Sequence, residues 1–199
     1  MKPEDLGRAY DLIADKWDSP EFNKKNGIDQ HKRALAFLEN RRSALDVGCG
    51  CSGRLIDRLI NYRFEVEGVD ISQEMLKRAS KRHPAVDFHF EDICTWEIPG
   101  TYDFITAWDS IWHVPLAEHE SVLSKLFLSL NTGGVCIFSE GGLDESDEMR
   151  DSYMGPEVYY SSLGIPRTLE LISESGCICR HFEYDQYPEL HVYYIVQKA

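Results

Sequence analysis

No apolar run in this chain approaches the ~18 residues needed to cross a bilayer. Its opening, MKPEDLGRAYDLIADKWD, lacks the apolar core of a secretion signal. Basic residues are scarce, 21 Lys and Arg against 34 Asp and Glu, for a net charge of −13. Without a local run of Lys and Arg to reverse that balance, partners gripped through their phosphates, nucleic acid and anionic membrane alike, are not expected. Internal repeats and low-complexity tracts are also absent. The six cysteines (Cys49, Cys51, Cys94, Cys136, Cys177, Cys179) never fall at the C-x₂₋₄-C spacing of a structural zinc site. They read as reduced thiols filling core and loop in a cytoplasmic protein, with no metal.

What is present is an ordinary globular composition, 43% hydrophobic and 28% charged over 199 residues, sized for one domain. Leu6, Tyr10, Ile13 and Trp17 recur at helical spacing, and a second helix is expected over about 28–40. Residues 1–42 thus form an N-terminal helical cap. Strands and helices then alternate. SALDV, FEVEGVDI, VDFHFEDI, YDFITAW and VCIFSE read as strands, GRLIDRLINY, SQEMLKRASKRH and LAEHESVLSKLFLSL as helices, and NTGG as a turn. Ser72 is the expected N-cap of the second of these helices. That rhythm predicts a parallel sheet with helices on both faces. Residues 141–166 break it and are expected to be a loop insertion. RTLELISESG is a helix ended by Gly176, and CICRHFEYD and HVYYIVQKA are close enough in sequence to pair antiparallel.

The first strand of the alternation runs into ALDVGCGCSGRL, where Gly48, Gly50 and Gly53 spell G-x-G-x-x-G. Glycines between a strand and a helix let a ligand approach the backbone near the positive end of a helix dipole. Asp70 ends the next strand about 20 residues on, where an acid accepts hydrogen bonds from a ribose. A nicotinamide dinucleotide fits these two features. Three others fit it less well: Asp46 just before the glycines, the acid pair Glu91-Asp92 at the end of the third strand, and an antiparallel close to the sheet behind a helical cap. A cofactor with a positive centre and no phosphate tolerates all of these acids.

LDVGCGCSG, VEGVDIS, FHFEDI and YDFITAWDSIWHVP, in this order and at these distances, resemble the successive motifs of class I S-adenosylmethionine-dependent methyltransferases, and the likeness runs over essentially the whole chain. It implies an α/β, Rossmann-like fold: a seven-stranded, mostly parallel sheet with an antiparallel C-terminal strand, helices on both faces, in a single domain over 1–199. It also implies that S-adenosylmethionine is the cofactor and S-adenosylhomocysteine the product. Asp46, Gly48, Cys49 and Gly50 match the positions that line the methionyl part. Asp70 matches the ribose acid, with Ile71 and Met75 beside the adenosine. Asp92 and Ile93 match the pair at the adenine edge. Ala107 and Trp108 end the fourth strand, where cofactor and acceptor meet.

Methyl transfer needs positioning more than a dedicated base. Where the acceptor must lose a proton, His113 is the first candidate, and Asp109, four residues earlier, could meet it on one helical turn. A third metal ligand is not evident. Tyr10, Trp17, Trp112, Tyr153, Tyr159, Tyr160 and Tyr187, with His191, are the candidates for an aromatic pocket around a small-molecule acceptor, whose identity and reacting atom the sequence leaves open. So is the oligomeric state. No Asn/Asp-Pro-Pro-aromatic motif follows the fourth strand, as an amino-methylating DNA enzyme would have. A non-catalytic S-adenosylmethionine binder and a nicotinamide-dependent oxidoreductase are the rival readings.

Overall fold

The computed structural model describes residues 1–199. Two helices, α1 (Pro3–Trp17) and α2 (Ile28–Leu35), precede the alternation of β1 (Ser43–Val47), α3 (Arg54–Asn61), β2 (Glu65–Asp70), α4 (Gln73–Arg82), β3 (Asp87–Phe90), β4 (Tyr102–Ala107), α5 (Leu116–Leu128) and β5 (Leu130–Gly141). Then come β6 (Asp147–Asp151), β7 (Val158–Ser162), α6 (Ile165–Glu174), β8 (Cys177–Tyr184) and β9 (His191–Lys198). Seven strands form one sheet in the order β3-β2-β1-β4-β5-β9-β8. β1 to β5 pair parallel, and β9 runs antiparallel to both β5 and β8. This is the expected fold class. No helix is long and apolar enough to cross a membrane.

The central strands are apolar on both faces because both faces are covered. Leu45, Ile105, Phe138 and Tyr194 enter one core with Leu123, Leu126 and Ile172 of α5 and α6. Their neighbours Ala44, Phe104, Ile137 and Tyr193 enter the other with Leu35, Ile56 and Leu59 of α2 and α3. The strand order reverses between β1 and β4, so the connections leave the sheet in opposite directions there. A crevice at the carboxyl ends of those strands follows from that divergence.

Three sequence expectations need correction. The second helix stops at Leu35, because the N–H groups of Ala36 and Phe37 bond three residues back, to Arg33 and Ala34, and tighten the chain out of the α-helix. Residues 141–166 are not a loop. β6 and β7 form an antiparallel hairpin, Asp147 opposite Ser162 and Asp151 opposite Val158. The acidic β6 has little strand preference of its own and is held by β7, whose Val158 packs with Leu6 and Ala9 of α1. NTGG does not precede the strand. It lies inside β5, which pairs from Leu130 with Tyr102 and is irregular before Phe104.

Candidate functional site

The loop after β1 is tied to β2 by its own backbone. Gly48 and Cys49 donate their N–H groups to the Val69 carbonyl at 2.8 and 3.1 Å. Gly50 donates to Asp70 Oδ2 and Ser72 to Asp70 Oδ1, both at 2.8 Å. Gly48 has φ +69°, and a Cβ there would lie 2.3 Å from Ser110 Cβ. Glycine is therefore required by conformation and by space. Burial pushes the Asp70 carboxyl upward, while the N–H groups of Ser72, Gly50 and Ile71 pull it back.

α1 lies across the β2–α4 turn. Ser72 caps α4 by accepting from Met75 N–H, as expected, and donates its hydroxyl to Asp11 at 2.7 Å. Asp11 also accepts the Glu74 N–H at 2.9 Å. Gly7 faces this turn, where a Cβ would come within 2.6 Å of the Ile71 carbonyl. The cap helix thus closes one side of the crevice.

The other side follows β4. Asp109 adopts φ 56°, left-handed for a residue with a side chain, and donates its N–H to Ser139 Oγ at 2.8 Å. Its carboxylate accepts from Asn26 Nδ2 at 2.7 Å and His191 Nε2 at 3.1 Å, with Arg54 at 3.4 Å. His191 Nδ1 meets Asp185 at 2.5 Å, and Asp185 in turn accepts from Gln30 at 2.6 Å. A carboxylate on each nitrogen favours the imidazolium form, which donates from both. Burial pulls the pKa of His191 down, but Asp109 and Asp185 more than offset it, and the net direction is up.

His113 is placed differently. Nδ1 donates to the Tyr159 carbonyl at 2.8 Å, and Nε2 faces the Tyr10 hydroxyl at 2.6 Å and Trp112 Nε1 at 3.0 Å. Burial lowers its pKa to about 4, so the ring is neutral. Its one basic lone pair already receives two donors. The turn expected to bring Asp109 to His113 does not form. The left-handed Asp109 redirects the chain, and only Ile111–His113 make a 3₁₀ turn.

These elements enclose a cleft of about 410 Å³ at the reversal point, within the range of small-ligand sites. Gly48, Cys49, Gly50, Asp70, Ile71, Met75, Asp92 and Ile93 line it with Trp108. Asp92 Oδ1 also accepts the Cys94 N–H at 2.9 Å, which fixes the turn after β3. Tyr10, Trp17, Trp112, His113, Tyr160, Asp109 and His191 line the same cleft. Asp46 and Ala107 are buried one layer behind the lining, and burial raises the Asp46 pKa to about 7.

Three of the aromatic candidates fall outside the cleft. Tyr153 and Tyr187 are 96% and 83% exposed. Tyr159 is buried away from the cleft, donating to Glu148 at 2.7 Å and accepting the Leu116 N–H at 2.9 Å. Sequence reasoning missed Arg54, Asn26 and Phe22, all in the lining. For Arg54 a signal existed: an arginine opening a helix works against the helix dipole and asks for another reason to be there.

Residues 44–134 match the family model described as "Methyltransferase domain". The chain is 32% identical over 148 residues to a ubiquinone biosynthesis O-methyltransferase of Burkholderia multivorans, a match covering 69% of this chain and 62% of that one. It is 31% identical over 126 residues to a phosphoethanolamine N-methyltransferase of Triticum aestivum, covering 60% of this chain and 25% of the relative. Among solved structures, magnesium protoporphyrin IX methyltransferase from Synechocystis PCC 6803 superposes with a TM-score of 0.73 at 16% identity, over 100% of this chain and 98% of that one. Residues 44–134 thus carry a methyltransferase domain, and the strand order with the structural likeness gives the chain the Rossmann-like methyltransferase fold. The chain spans 62% of the length of the Burkholderia relative.

Proposed function

We propose that the protein transfers a methyl group from S-adenosylmethionine to a small-molecule acceptor. The observation that carries this reading is Asp70, which ends β2, the strand next to β1, and faces the same cleft as the glycine loop, Asp92 and Ile93. One wall thus offers acids and glycine backbone, where a pyrophosphate would be repelled and a ribose and a sulfonium are accepted. The residues fit the cofactor. Asp70 would hold the ribose, Asp92 and Ile93 the adenine edge, Met75 and Ile71 the adenine faces, and loop 48–50 the methionyl part. Once bound, S-adenosylmethionine supplies a methyl carbon activated toward nucleophiles by its sulfonium.

The chain's own contribution is to orient the acceptor and exclude water. Tyr10, Trp17, Trp112 and Tyr160 give an apolar, ring-lined acceptor side. Tyr10 stays a protonated phenol, since burial drives its pKa well up, and with Trp112 it occupies His113 Nε2. For His113 to accept a proton, Tyr10 must first release it. Asp109 is engaged as well, its carboxylate already accepting from Asn26 and His191 with Arg54 at 3.4 Å. The acidic surface and the size of the cleft support a soluble acceptor in the cytoplasm rather than nucleic acid or a membrane surface.

The test is incubation with methyl-labelled S-adenosylmethionine and a panel of small phenols, amines and carboxylic acids. Label recovered in a small molecule, absent with the Asp70→Ala protein, supports the reading. Cofactor binding without transfer to any of them supports the non-catalytic binder instead.

A further inference from the structure

The cofactor assigned above ends in an amino acid, whose carboxylate needs a donor. The glycine loop cannot supply one from Gly48, Cys49 or Gly50, because all three N–H groups are already given to Val69 and Asp70. The lining holds two basic side chains next to Asp109, Arg54 and His191. His191 is clamped between two carboxylates, Asp109 and Asp185. Arg54 is not clamped in this way.

Its side chain is only 9% exposed and has a single carboxylate contact, to Asp109 at 3.4 Å. Nε donates to the Asn26 carbonyl at 3.0 Å and Nη1 to Ser52 Oγ at 3.2 Å. Counting the Asp109 contact, three of the five guanidinium N–H groups have acceptors. The guanidinium also packs over the Phe22 ring, 5.1 Å from its centroid, which fixes its plane and leaves its edges for hydrogen bonds. A cation this buried and this lightly paired is costly unless a ligand completes it. Its place at the first position of α3 has no helical rationale, since the dipole there disfavours positive charge.

We propose that Arg54 receives the carboxylate of the cofactor's methionyl group, and so selects cofactors that carry the amino-acid head over the adenosyl thioether alone. This rests on the S-adenosylmethionine reading of the cleft. Asp109, Asn26 and Ser52 are the residues that aim the guanidinium fork.

Two probes separate this role from a structural one. S-adenosylhomocysteine carries the amino-acid head, and 5′-methylthioadenosine keeps the adenosyl thioether without it. Calorimetric titration of wild type, Arg54→Met and Arg54→Lys with each gives the ratio of affinities. Arg54→Met should weaken S-adenosylhomocysteine by about 10-fold or more, the scale of losing one charge-assisted, partly desolvated contact. It should leave 5′-methylthioadenosine within about 2-fold, well under what one lost hydrogen bond would cost. Arg54→Lys should recover part of the loss, since a point charge replaces the fork. Equal weakening of both ligands, or of neither, overturns the role given to Arg54 while leaving the cofactor reading intact. Failure of the wild type to bind either ligand overturns the cofactor reading itself. Thermal melts of the variants, read beside the titrations, distinguish a lost contact from a lost fold.

Discussion

Glu140 sits inside the sheet where a carboxylate is not expected, and replacing it by Gln has a calculable effect. The residue is 0% exposed on β5, and neither carboxyl oxygen has a hydrogen-bond partner. Thr168, Tyr194 and Ser162 surround it, and the Thr168 and Tyr194 hydroxyls are themselves unpartnered. Burial raises its pKa from 4.5 to about 7, with the three hydroxyls opposing only in part. An acid whose pKa rises on folding contributes stability that is full below its unfolded value and is lost as pH rises through the folded one. Between pH 4 and 8 the shift corresponds to about 3 kcal/mol for this one group. Gln keeps the shape and carries no charge, and its amide can donate to the neighbouring hydroxyls. The Glu140→Gln protein should therefore match wild type near pH 5 and exceed it by about 2–3 kcal/mol at pH 8.5, which is roughly 5–10 °C in Tm for a chain of this size. Buried histidines give the wild-type pH profile an opposing slope, so the difference between the two proteins is the quantity to measure. Urea denaturation followed by circular dichroism at both pH values provides it. A difference that does not grow with pH refutes the reasoning, because it would mean that the carboxyl ionises in the folded state without cost.

Gly48→Ala and Gly50→Ala should behave differently although both glycines have positive φ. A Cβ at Gly48 collides with Ser110, whereas one at Gly50 meets nothing within 4 Å. The first should cost about 3 kcal/mol or more and the second about 1–2 kcal/mol, as read by denaturation. His31, 1% exposed and bridging the Gly27 carbonyl and Thr106 Oγ1, has its pKa lowered by burial from 6.5 to about 4. A base lowered in this way adds stability above pH 6.5 that is lost as pH falls toward 4, by about 3 kcal/mol. Its imidazole should remain neutral at pH 5.5 by nitrogen-detected NMR, and an ordinary titration near 6.5 would contradict the burial argument.

Much of the fold was legible because it is local. Strand, glycine turn and helix follow one another within 43–61, and Asp70 is fixed by the chain that ends β2. The hairpin at 147–162 was hidden because β6, DEMRD, has no strand preference and exists only beside β7. The fate of His113 was hidden for a different reason. Tyr10 lies 103 residues away, and no local pattern says that its hydroxyl takes the imidazole lone pair. The link from Asp185 through His191 to Asp109 likewise joins the end of β4 to the start of β9, with His191 and Asp109 82 residues apart. Tyr153 and Tyr187 misled because composition marks an aromatic segment without marking which rings turn inward.

The central claim, that the cleft beside Asp70 takes S-adenosylmethionine, is tested most directly by calorimetric titration of the wild-type and Asp70→Ala proteins with S-adenosylmethionine and with NADH. Saturable, micromolar binding of S-adenosylmethionine to wild type, lost in Asp70→Ala, with no heat from NADH, is the predicted result. Binding of NADH in place of S-adenosylmethionine, or binding of S-adenosylmethionine that is indifferent to Asp70, would contradict it.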